Sequence, residues 1–280
     1  MIHVPIIETD NPTRQIEVTH HRFDAPRGYW NKVAICPDHI KINVFVKGDF
    51  SIFVNDTRYQ PVYGDICFLP PAQLHCGHVD SKTHLDYFQL DIGMHALDRV
   101  NGGAALLAGL IANSRDNRHF LRPHREDEDA VMALCHRLEA AVTNRQMPLA
   151  FAYVIEILTH IERIYAGSSD MPTIALSDTS TAVIRYIEAH FNEKITIEQM
   201  AESLGLSATY LSVRFKKEVG MGIHAYLNEY RVMRAIALLR THTVAETCFA
   251  CGFCDSSHFI ATFKRRFGCT PAVYQKTRLR

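Results

Sequence analysis

The sequence predicts an α+β chain of two domains. An N-terminal β-barrel followed by helices precedes an all-α C-terminal domain, in which two helix-turn-helix units are joined by a linker helix. Three observations carry this. Ile40, Ile42, Val44 and Val46 alternate with Lys41, Asn43, Phe45 and Lys47, the period of a strand. From about residue 103 the apolar period becomes helical. Residues 181–280 then contain one pattern twice, offset by 47 to 48 residues. The first copy runs Ile197 to Gly205, then Tyr210-Leu211, then Phe215 to Gly220; the second runs Val244 to Gly252, then His258-Phe259, then Phe263 to Gly268. Each is a short amphipathic helix, a glycine turn and a second helix ending in a basic cluster, which is helix-turn-helix order.

Taken in order, residues 1–14 read as an irregular arm containing Pro5 and Pro12. Short strands fill residues 15–95, with turns at Gly48-Asp49 and Asn55-Asp56 and strands at Ser51–Val54, Gly64–Pro71 and His84–Leu90. Helices follow over Ala104–Ala112, Glu126–Val142 and Pro148–Tyr165. The last two carry apolar faces (Val131, Leu134, Cys135, Leu138 and Val142; Phe151, Val154, Ile155, Leu158, Ile161 and Ile164) broader than a small barrel covers, which points to pairing with a second copy. Gly167-Ser168-Ser169-Asp170-Met171-Pro172 breaks the pattern as a linker. The expected division is 1–166 sensing and dimerisation, 167–180 linker and 181–280 DNA binding.

A net charge of zero hides an asymmetry: residues 181–280 hold 14 Lys+Arg against 8 Asp+Glu, a balance of +6, and residues 1–180 hold the other 16 and 22, a balance of −6. A basic C-terminal half suits a nucleic-acid partner. The N-terminus has no basic region ahead of an apolar run, and no run is long enough to span a membrane, so a cytoplasmic protein is expected. In such a chain the 8 cysteines read as thiols rather than as a disulfide framework.

The repeated units carry helix-start signals. Thr196 with Gln199, and Thr243 with Glu246, fit capping boxes. Ser207 and Asp255 fit N-caps of the second helices. Between the copies, Ile223–Arg240 predicts a helix about 25 Å long, enough to set two recognition helices roughly 34 Å apart, one DNA turn.

The C-terminal residues resemble the DNA-binding domain of AraC/XylS-family bacterial transcription regulators. The match is strongest over Ala250-Cys251-Gly252-Phe253, Ser257-His258-Phe259, Phe263–Pro271 and Tyr274. The resemblance implies that Thr209, Ser212 and Val213 face bases from the first recognition helix, and Ser256, Ser257 and Ala261 from the second. It places Lys216, Lys217, Lys264 and Arg265 near phosphates, where cations add affinity without sequence information. Three departures stand out. Val213 and Ala261 replace arginines common in relatives, which favours thymine-methyl contacts. Thr247 occupies a usually apolar position. The connection Arg240–Thr243 is about two residues short.

Cys248, Cys251 and Cys254 have the C-x-x-C-x-x-C spacing of an iron–sulfur or zinc site. This keeps open an alternative, a DNA-binding metal or redox sensor. Against it, Cys248 and Cys251 align with the inward Ala201 and Leu204 of the first copy, where a thiol packs as a small hydrophobe.

Over residues 20–95 the strands resemble the cupin-like barrel of sugar-responsive members of the same family, on Gly64-x5-Pro70-x-Ala72-x2-His75. Metal-binding cupins need a further motif with two His and a Glu. Here those positions hold Ile35, Pro37 and Lys41, with only His39 near, so neither a metal nor an enzyme is expected. The barrel is left with candidate ligand-binding side chains: Lys41, Asn43, His75 and Gln89 as polar groups, and Trp30, Tyr87 and Phe45 as stacking surfaces, suited to a hydroxylated or anionic small molecule. The expectation is an effector-responsive regulator, an activator by family habit, working as a homodimer on double-stranded DNA. RNA polymerase is a candidate partner and no cofactor is expected.

Overall fold

The computed structural model describes residues 2–7, 12–27, 30–34, 39–54, 57–71, 73, 75–79, 81–114, 118–167 and 174–278. The chain divides into two compact units, Met1–Ile174 and Ala175–Arg280.

The first unit is β-rich. Its strands are β1 (Ile2–Ile7), β2 (Ile16–Ala25), β3 (Trp30–Ala34), β4 (His39–Lys47), β5 (Phe50–Val54), β6 (Thr57–Tyr59), β7 (Ile66–Leu69), β8 (His75–Val79), β9 (Thr83–Gly93) and β10 (Phe120–Leu121). One sheet has the order β1-β2-β9-β4-β7-β10. In a second, β6 pairs with β5, β5 with β8 and β8 with β3, all antiparallel. The helices are α1 (Gly103–Asn113), α2 (Arg125–Thr143) and α3 (Met147–Gly167).

Because successive side chains on a strand alternate in direction, the first sheet builds two cores. Ile40, Ile42 and Val44 of β4 join Ile16, Val18, Phe68, Phe88 and Leu90 in a cluster with the buried faces of α1, α2 and α3. Phe45 joins Phe50, Ile52, Tyr59, Leu69 and Leu85 in a separate cluster that includes side chains from both sheets. The fork of Arg122, from the surface, on the buried Asp65 pins the turn before β7: Nε and a terminal nitrogen donate to the two carboxylate oxygens at 2.8 and 2.7 Å, and the Val62 N–H donates at 2.8 Å.

Two expectations change. Residues 2–7 are a strand, not an irregular arm: Ile2 lies opposite His20 and Val4 opposite Val18, because β2 offers a sheet edge that satisfies the backbone of these residues. The apolar stripes of α2 and α3 are already used within the unit. Val131, Leu134, Cys135, Leu138 and Val142, with Val154, Leu158, Ile161 and Ile164, are buried, and Phe151 and Ile155 are partly covered. Those stripes pack within the unit, so they do not call for a second copy.

The second unit is helical: α4 (Asp178–His190), α5 (Ile197–Ser203), α6 (Ala208–Val219), α7 (Ile223–Leu238), α8 (Val244–Ala250), α9 (Ser256–Phe267) and α10 (Pro271–Arg278). Ser177 caps α4 by accepting from the Ser180 N–H, so this helix starts inside the stretch expected to be linker.

Candidate nucleic-acid interface and effector pocket

Local chemistry sets each helix-turn-helix unit. α5 and α8 start with capping boxes, Thr196 with Gln199 and Thr243 with Glu246, in which side chain and backbone satisfy each other's donors. Ser207 caps α6 and Asp255 caps α9. Gly205 and Gly252 take φ of +66° and +77° in the two turns, and Gly220 and Gly268 end the second helices in the same left-handed region.

The helices then sort their faces. On α6, Leu211, Phe215 and Val219 are buried, and on α9 Phe259, Thr262 and Phe263 are. The opposite faces hold the residues expected at DNA. Thr209, Val213, Lys216 and Lys217 are exposed and Ser212 is half-buried; Ser256, Ser257, Ala261, Lys264 and Arg265 are all exposed. The lysines and arginine occupy the last turns, where cations also meet the negative end of the helix dipole. Tyr210, His258 and Ile260 are exposed on the same helices and were missed in the sequence. Their place between the expected base-facing positions was the available signal.

α7 joins the units and packs on both. Its 16 residues span about 24 Å. Tyr226 meets Phe215 edge-on at 5.5 Å, while Val232, Ala235 and Ile236 enter the core around Phe253, Phe259, Phe263 and Tyr274. Arg231 donates to the carbonyls of Phe191 and Glu193 at 2.7 and 2.6 Å, holding the loop before α5. The turn of the second unit abuts that same loop: a Cβ on Gly252 would lie 2.5 Å from the Phe191 carbonyl oxygen. The short connection after α7 is closed by Gln275 of α10, whose amide donates to the carbonyls of Leu239 and His242.

The cysteine triplet is split by this packing. Cys248 and Cys251 are buried in the apolar core, and Cys254 is exposed. Burial pushes the Cys251 thiol up to about 12 and raises Cys248 as well, opposite to what a reactive thiolate or a metal ligand needs. Thr247 is fully buried, and its hydroxyl has no hydrogen-bond partner.

The first unit contains a pocket over the inner face of its first sheet. Lys41, Asn43, His75, Tyr87 and Gln89 all line it. Strand register explains the grouping: Asn43 lies opposite Gln89, Lys41 opposite Asp91, and Phe45 opposite Tyr87. Trp30 is on β3 opposite His78, and its side chain lies outside the described residues. Phe23, Phe50, Ile52, His78 and Leu85 complete the wall and were not read from the sequence. Beside them, the His21 ring stacks on Tyr87 with centroids 4.5 Å apart. Burial, then the charge of Lys41, lowers the pKa of His21 to about 4, so it stays neutral at pH 7. Lys41 Nζ is 3.8 Å from Asp91, and Gln89 donates to the same carboxylate. Asn43 is only 7% exposed, and its carbonyl oxygen has no donor among the described residues.

Comparison with known proteins identifies both domains. Residues 35–149 match the AraC-like ligand binding domain and residues 200–277 match a helix-turn-helix domain. The transcriptional activator RhaS of Escherichia fergusonii is 36% identical over 240 residues, covering 80% of this chain and 81% of RhaS. The transcriptional activator RhaR of Pectobacterium carotovorum is 29% identical over 284 residues, covering 98% and 90%. Among solved structures, the C-terminal domain of AraT from Geobacillus stearothermophilus is 30% identical over 38% of this chain and 89% of that one, with a TM-score of 0.36. The chain belongs to the AraC/XylS family of transcription regulators: it is a DNA-binding regulator that couples a small-molecule-binding domain to paired helix-turn-helix units.

Proposed function

We propose that the effector is a neutral, polyhydroxylated small molecule, a sugar or a related metabolite, and that the regulator is a cytoplasmic activator. The observation that carries the effector class is the Asn43 carbonyl oxygen, an acceptor buried in the pocket with no donor. An unmet buried acceptor is costly, and a ligand hydroxyl would satisfy it. An anion would add acceptors where donors are needed. The Lys41 charge is already matched by Asp91, and His21 is neutral. Tyr87 offers a ring on which the apolar face of a sugar can stack. Activation follows the relatives, which are named as transcriptional activators.

In this reading the two sheets of the first unit act as a cupin-like barrel. β2 carries the signal, with adjacent residues on opposite faces. His21 stacks beside the pocket. His20 is buried beneath α2, with its two ring nitrogens at 2.8 Å from Glu139 and 2.7 Å from Asp86. A ligand that displaces Tyr87 or His21 would move α2. It would shift the balance of states only through unequal affinity for them. The active species is a homodimer on paired half-sites of double-stranded DNA. The outer side of α3, where Leu149 is exposed, is the contact surface, and RNA polymerase is the downstream partner. Thr209, Ser212, Val213, Ser256, Ser257 and Ala261 face bases. Lys216, Lys217, Lys264 and Arg265 face phosphates.

The test is calorimetric titration of the full-length protein with neutral monosaccharides and the matching sugar acids. The expected result is binding of a neutral sugar that Asn43→Ala weakens at least tenfold. Tightest binding of a carboxylate would overturn the effector class.

A further inference from the structure

We propose that the two recognition helices read thymine, through its 5-methyl group, in half-sites where guanine is not selected by a bidentate contact. The inference rests on the assignment of α6 and α9 as the base-facing helices and specifies what they recognise. Base edges are read by the N-terminal part of a recognition helix. Those parts are Ala208–Val213 and Ser256–Ala261, and they hold no Arg, Lys, Asn, Gln, Asp or Glu. The side chains that pair bidentately with guanine or adenine, or accept from cytosine, are therefore missing from both.

The arginines farther along the two helices do not fill the gap. Arg214 is held by Glu218 at 2.5 Å and lies 3.4 Å from the Ser177 hydroxyl. Arg266 is drawn to Glu229 at 3.4 Å and is largely covered. Arg265 stands in the last turn, and its terminal nitrogen is 3.4 Å from the Thr262 hydroxyl. What the helices do offer is aliphatic surface in water. Val213 is 63% exposed and Ile260 36%, with Ala261 beside it. These side chains stand on the face expected at DNA, and the thymine methyl is the apolar feature of the major groove that they can contact. The hydroxyls of Thr209, Ser212, Ser256 and Ser257 accept or donate to any base edge and add little discrimination.

The test uses the full-length protein. A binding site is first obtained by in-vitro selection from genomic DNA. Each thymine is then replaced singly by deoxyuridine, which lacks only the methyl group. Affinity should fall about fourfold at the sensitive positions, the equivalent of one buried methyl, about 0.8 kcal/mol. Val213→Ala should abolish that sensitivity at the positions read by α6 and leave those read by α9 unchanged. Val213→Arg should shift a fresh selection to guanine there. If deoxyuridine is neutral throughout a site that still binds specifically, the thymine reading is wrong and the regulator reading stands. If no DNA is selected under any condition, the assignment of base-facing helices fails as well, and this inference with it.

Discussion

The two turn glycines make a matched experiment. Gly205 and Gly252 occupy the same place in the two helix-turn-helix units and have nearly the same backbone, φ +66° and +77°. Alanine in the left-handed region costs roughly 1–2 kcal/mol at either position. The surroundings differ. A Cβ at Gly205 meets nothing within 4 Å, whereas at Gly252 it would lie 2.5 Å from the Phe191 carbonyl oxygen and 2.9 Å from two backbone carbons of Asn192. Backbone cannot rotate aside as a side chain can, so the loop must move bodily, at a further cost of about 1–3 kcal/mol. Gly205→Ala should therefore lose about 1–2 kcal/mol and Gly252→Ala about 2–5 kcal/mol. The assay is urea unfolding of the full-length protein by circular dichroism at 222 nm. Trp30, the one tryptophan, lies in the first unit and reports it separately by fluorescence. Because the Gly252 contact fixes how the second turn meets the loop before α5, DNA affinity should fall more for Gly252→Ala than for Gly205→Ala. Equal losses for the two variants would refute the argument from packing and leave only backbone strain.

Four further outcomes follow from named contacts. Arg122→Leu leaves the buried Asp65 carboxylate with one backbone donor and should cost about 3–5 kcal/mol in the fluorescence-detected transition; a loss below about 1 kcal/mol would contradict it. His119 is held by burial at about 4 against an ordinary 6.5. The unfolded chain takes up this proton below pH 6.5 and the folded chain only near pH 4, so stability is full above pH 6.5 and lost as pH falls toward 4. Its share of the loss is on the order of 3 kcal/mol, and His119→Leu should roughly halve the slope in that window, His21 supplying the rest. Thr247→Val removes a buried hydroxyl that lacks a partner among the described residues and should raise the unfolding free energy of the second unit by about 1 kcal/mol, whereas no gain would mean that the hydroxyl is satisfied in solution. Iodoacetamide should label Cys254 in the native protein and spare Cys248 and Cys251 until unfolding, as mass spectrometry of digested protein would show. Prompt labelling of Cys251 would revive a redox role.

Features written in short stretches of sequence were legible. Both capping boxes and both N-caps form as the spacing of Thr196, Thr243, Ser207 and Asp255 indicates, because each is settled within one helical turn. Alternation in β4 placed Lys41 and Asn43 on one face, and six of the seven expected ligand residues, all but Trp30, line one pocket. What escaped depends on distant partners. β1 becomes a strand only because β2 offers it an edge. The stripes of α2 and α3 looked like a dimer surface because the area of sheet beneath them cannot be counted from their own residues. Phe23 reaches the pocket wall, and His21 the ring of Tyr87, through the pairing of β2 with β9, more than 60 residues away in sequence.

The packing of α7 limits where control can act. Its residues belong to the core of the second helix-turn-helix unit, Tyr226 stands against Phe215 of the first, and Arg231 bonds the loop between α4 and α5. Moving one recognition helix relative to the other would break these contacts together and put the Arg231 guanidinium out of reach of two carbonyls. Such a break costs several kcal/mol, whereas an allosteric ligand typically contributes about 1–3 kcal/mol of coupling. An effector therefore cannot work by changing the spacing of the two units within one chain. What is left to it is the placement of the second unit as a body or, in the homodimer proposed above, the pairing of two chains. In a dimer, a small bias in that placement is multiplied because both half-sites must be held at once, and the effective concentration of the second domain depends steeply on whether its position matches the DNA.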